Sequence, residues 1–127
     1  MGATSDLSSR WFVSGEGMAV QWAGVLAGPI ALAADQLASY ALVKWTCGHQ
    51  HAWVLHLISV GALLVIAAGA FAAWRAVSEA PSDATFDGGR SIDRGRFMGV
   101  FGLATCALFA VLVVAMAVPG WMIDACQ

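Results

Sequence analysis

Three side chains in one short stretch have the makings of a metal site: Cys47, His49 and His51 alternate along Cys-Gly-His-Gln-His. Thiolate sulfur beside imidazole nitrogen suits copper or zinc, and His56 follows as a conceivable fourth ligand. The spacing matches no standard structural zinc pattern, so no metal is expected and Cys47, His49 and His51 stand as candidates only. Cys47 has a second possible chemistry, a disulfide with Cys126 near the other end of the chain. The remaining cysteine, Cys106, lies inside an apolar run and reads as a small packing residue.

A second constellation gathers around Asp35, which is followed by Gln36, Ser39 and Tyr40 inside a long apolar stretch. Counted from Trp45 at the rise of an α-helix, Asp35 is about 15 Å deep, near the middle of a bilayer. An ionised carboxylate there costs a few kcal/mol or more, so it is expected to be neutral or paired inward. Thr105, counted from Arg96, falls at nearly the same depth, so Thr105, Gln36 and a partner subunit are the candidate hydrogen-bond partners. The functional alternative is a proton relay or an ion-coordinating site. His56 falls one turn inside Trp53. A bis-histidine haem would require a second deep histidine, so His56 is expected to pack, or to touch a partner, through a hydrogen bond. The sequence contains no nucleophile elbow, phosphate loop, metalloprotease helix or dinucleotide fingerprint, and an enzyme is not expected.

The elements that must position these residues follow from composition. Hydrophobic residues make up 60% of the 127 and charged residues 11%, with a mean hydropathy of +0.76. Soluble domains carry about 25% charged residues. Six Lys and Arg form no basic stripe, so nucleic acid is excluded as a partner. Three apolar runs predict membrane-crossing helices over about 18–45, 52–75 and 96–121, since some 20 residues cross a bilayer core. The expected fold is therefore all-α: three transmembrane helices in a compact bundle forming a single domain. A tight turn at 48–51 and a solvated loop at 76–95, rich in Ser, Asp, Gly and Pro, join them. Trp11, Trp22, Trp45, Trp53, Trp74 and Trp121 fall at or near the run ends, as an interfacial aromatic belt does. Ala31-Leu32-Ala33 mimics a signal-peptide cleavage site, but the apolar run continues to Trp45, so a retained helix is expected.

Charge sets the orientation. Arg10, Arg75, Arg90, Arg94 and Arg96 fall on one side and Lys44 alone on the other. By the positive-inside rule the N-terminus is cytoplasmic and the C-terminus periplasmic. Helix pairing in lipid relies on small residues. The candidates are Gly24 and Gly28 on the first helix, Gly61 followed by Gly69 and Ala73 on the second, and Gly95, Gly99, Gly102 and Cys106 on the third. Pro29 is expected to kink the first by freeing the carbonyl of Val25. In this arrangement Cys47 and Cys126 emerge at the same oxidising face, where a disulfide is expected. A metal-bound Cys47 and two unpaired thiols are the competing states.

From Trp22 to Leu57 the chain reads WAGVLAGPIA, then DQLASYALVKWTC, then WVLHL. In this stretch it resembles small three-helix bacterial membrane proteins that accompany haem-copper (cytochrome c) oxidase operons. The resemblance implies a non-catalytic accessory subunit of a respiratory terminal oxidase in the inner membrane, contacting lipid and larger membrane-protein subunits, with no cofactor of its own. It assigns no residue a role. A proton or small-ion pathway using Asp35, and copper handling by Cys47, His49 and His51, are the alternative expectations.

Overall fold

The computed structural model of the protein describes residues 2–86, 88–123 and 126, apart from the side chains of residues 2–5 and 8. Among the described residues four helices occur in order: α1 Gly2–Val13, α2 Gly15–Gly48, α3 Trp53–Glu79 and α4 Ser91–Met122. The last three are long and apolar enough to cross a membrane, and each packs against the other two. Helix α2 starts before the apolar run does and continues through Pro29.

Small residues let the helix axes approach. A Cβ placed on Gly24 would meet Ala73 Cβ at 2.9 Å, and one on Gly102 would meet the Gly24 backbone at 3.0 Å and Ala73 Cβ at 3.1 Å. One point of α2, α3 and α4 is thus a three-way contact of Gly24, Ala73 and Gly102. Cys106 Sγ donates to the Gly24 carbonyl oxygen at 3.3 Å in the same layer. Gly28 abuts Phe109, Gly69 abuts Ala27, and Gly99 abuts Val77. Gly61 does not belong to this set: nothing lies within 4 Å of its would-be Cβ, because it falls on the outer face of α3. Further along, Ala31, Ala62, Ile66, Cys106 and Val113 form the buried core.

Helix α1 is an element the apolar pattern does not announce. A single residue, Ser14, separates it from α2, and Ser14 caps α2 by accepting from the Gly17 N–H at 3.1 Å. The turn is so tight that a Cβ at Gly17 would collide with the Trp11 carbonyl. Phe12 is 4% exposed and fixes α1 to the bundle, filling the space over Gly95 beside Ala76 and Ile92.

The expected loop of 76–95 is shorter, because α3 extends to Glu79 and α4 begins at Ser91. It is also well tied down. Asp93, 1% exposed, accepts from the Thr85 N–H at 2.9 Å, from Arg90 Nε at 3.0 Å and from Arg90 Nη2 at 3.1 Å. Arg90 bonds Asp83 as well, and Arg96 donates to the Ala84 carbonyl while standing over the Phe86 ring. The guanidinium of Arg90, helped by the Thr85 amide, holds the Asp93 carboxyl below the usual carboxylate range. Asp93 in turn holds Arg90 above its ordinary value.

Candidate functional site

The bundle is zipped by glycine at its arginine-rich end and opens toward its other end. There a cleft of about 540 Å³ lies between α2, α3 and α4. That volume is within the range of small-molecule sites. Its polar wall comes from Asp35, Gln36 and Ser39 of α2 and from His56 and Ser59 of α3, and its apolar wall includes Leu55, Met116 and Pro119. Periodicity explains the grouping. Asp35 and Ser39 are one turn apart on α2, as His56 and Ser59 are on α3, so each helix presents a short polar stripe to the gap.

Asp35 is 4% exposed and accepts from Ser59 Oγ at 3.0 Å. Of the candidate partners, Thr105 is not used, since its hydroxyl donates back to the Phe101 carbonyl of its own helix at 2.8 Å. Equal depth brought Thr105 into consideration, but the rotation of α4 turns it aside. Tyr40, 85% exposed, also faces outward and takes no part. Gln36 donates through Nε2 to Met116 Sδ at 2.9 Å, linking α2 to α4 across the cleft.

His56 accepts a hydrogen bond at Nδ1 from Trp121 Nε1 at 2.8 Å. An indole N–H can only donate, so Nδ1 must carry the lone pair and a neutral His56 keeps its proton on Nε2. The ring is thereby a donor as well as an acceptor. Pro119, inside α4, has no N–H for the Ala115 carbonyl one turn back, which leaves an acceptor on a residue that lines the cleft. The floor is closed toward the arginine-rich end by buried Ala31, Ala62 and Val113.

Above the cleft, Cys47 and Cys126 are joined in a disulfide with their Cα atoms 5.4 Å apart. Bonded to Cys126, the Cys47 sulfur is no thiolate ligand, so the candidate Cys-His-His metal site does not form in this state. His49 Nδ1 lies 2.9 Å from the Trp45 carbonyl, and its ring stacks on Trp45; His51 lies between Trp45 and Trp53. Among the described residues no group of three metal-capable side chains converges.

Sequence reasoning passes over the apolar wall and, among the hydrogen-bond partners, Ser59, Met116 and Trp121. Ser59 is the only hydroxyl between Trp53 and Trp74, which was a usable signal. Trp121 reads as one more belt residue until its partner is seen. No family model, curated protein or solved structure matches this chain.

Proposed function

We propose that the chain is a multi-pass protein of the bacterial inner membrane, a non-catalytic accessory subunit of a larger membrane complex, with a respiratory terminal oxidase as the complex. The carrying observation is the inversion of its surface. Leu37, Leu64 and Val111 are 72%, 67% and 65% exposed, while the buried face of α2 consists of Gly17, Gln21, Gly24, Gly28, Ala31, Asp35 and Thr46. A girdle of this kind, far beyond the apolar patch of a soluble monomer, requires lipid or other membrane helices around it. The likeness of 22–57 to proteins accompanying oxidase operons points to the kind of complex. Two independent signals support an orientation with the arginine-rich end cytoplasmic: five arginines lie there, and the disulfide, a bond of oxidising compartments, lies at the opposite end.

Tagged protein extracted from its native membrane in mild detergent should comigrate with haem-containing subunits. Migration alone, without haem absorbance, would remove the oxidase assignment. A proton pathway within one copy is disfavoured by the closed floor beneath Asp35. Asp35→Asn should accordingly leave proton flux in liposomes unchanged, and its loss would revive that reading.

A further inference from the structure

The cleft has a chemistry that packing alone does not call for. Asp35 supplies an acceptor at its floor, with its carboxyl held in place by Ser59. One helical turn nearer the disulfide, His56 is held by Trp121 with its proton on Nε2, so that it donates. Between them stand the Ser39 hydroxyl, the Gln36 amide and the apolar side chains of Leu55 and Met116. An occupant must therefore be largely apolar, must donate to Asp35, and must accept one turn away. No Lys or Arg is among the residues lining the cleft. A phospholipid headgroup would bring its phosphate beside Asp35 with no cation to receive it, whereas an uncharged ring with oxygens on opposite edges meets both demands.

We propose that this cleft is a binding site for a membrane-dissolved, uncharged hydroxylated ring of the quinol class. One ring hydroxyl donates to Asp35 and the oxygen on the opposite edge accepts from His56. The proposal concerns binding only. It rests on the membrane placement argued above and not on the identity of the complex, so a chain that copurifies with no haem can still hold the ligand.

The test uses the full-length protein in phosphatidylcholine nanodiscs, titrated with a short-chain benzoquinol and, separately, with a short-chain phosphatidylethanolamine. The quinol should bind saturably at one site per chain and the phospholipid should not. Asp35→Asn, which retains an acceptor for Ser59 but halves the carboxylate, should weaken quinol binding at least tenfold. Ala117→Phe fills the cleft without removing a polar group and should abolish binding while the Cys47–Cys126 disulfide still forms. Thr105→Ala, whose hydroxyl serves its own helix, should leave the affinity unchanged. Absence of saturable quinol binding, tighter binding of the phospholipid, or quinol binding that survives Ala117→Phe would each overturn the assignment.

Discussion

Ser59 is the residue on which the placement of Asp35 depends, since its hydroxyl reaches from α3 to the buried carboxyl of α2. Interhelical hydrogen bonds in membranes contribute about 0.6 to 2 kcal/mol, so Ser59→Ala should lower thermal stability in detergent by that modest amount. Asp35→Leu should behave differently: it removes the cost of a polar group in lipid, so insertion improves, while, under the proposed accessory role, recovery of the complex falls. An Asp35→Leu chain that assembles and functions as wild type would show that the acid neither anchors nor binds anything. Asp35, Gln36 and His56 were legible because a polar type inside an apolar run stands out wherever the helix points. Their partners were not, because depth follows from counting residues but the rotation of each helix comes from packing. That is why Thr105, at the right height, faces its own helix, and Ser59 holds Asp35 instead. At the arginine-rich end, Asp93 is held below its ordinary value by Arg90 and Thr85. A depressed carboxyl stabilises the fold at pH above its unfolded value and loses that contribution as pH falls through the folded value. Protection of the Thr85 and Arg90 amides, taken relative to their intrinsic exchange rates, should thus persist at neutral pH and fall only below about pH 4, the ordinary carboxylate range. In Asp93→Asn the acid-dependent step should vanish.

Small-residue faces divide the elements into a zipped half and an open half. Gly24 and Gly102 meet backbone to backbone beside Ala73, so there is no volume for a side chain. Gly102→Leu should force α2 and α4 apart and cost about 1–3 kcal/mol. The same change at Gly61, which faces empty space, should be nearly silent in thermal unfolding. Equal effects at both positions would contradict the described rotation of α3. The glycines with a four-residue echo, Gly24 with Gly28 and Gly95 with Gly99, could be read from spacing. Gly61 was misassigned because its spacing from Gly69 is not a whole number of helical turns, so it does not stay on the face that Gly69 and Ala73 share. Helix α1 escaped detection for another reason: residues 2–13 are short and rich in Ser, Thr and Gly, with weak helical preference. Its docking centres on Phe12 over Gly95, with Trp11 packed beside it and Gln21 donating to the Phe12 carbonyl, contacts that no local pattern records. Phe12→Ala should release α1, and proteolysis near Ser14 should then outpace that of the parent protein.

Across the whole molecule, charge, disulfide and cleft share one axis. Arginines crowd one end, and the Cys47–Cys126 bond and the mouth of the cleft occupy the other. The bond spans a sequence separation of 79. A loop of that size closed in a free chain would contribute about 4.5 kcal/mol. Helices confined to a bilayer have already lost much of that freedom, so reduction should lower the melting temperature by less than this figure implies. Composition alone announced the three long helices, since each apolar run is long enough to cross and too apolar for water. The cleft between them was not announced, because it arises where the glycine contacts stop. The direct test of the whole account is topology. Reporters active on only one side of the membrane would be fused after Gln127 and within residues 82–89, and read in intact cells. A periplasmic signal at Gln127 with a cytoplasmic signal at 82–89 is the predicted result, and the reverse pattern, or both reporters on one side, would contradict it.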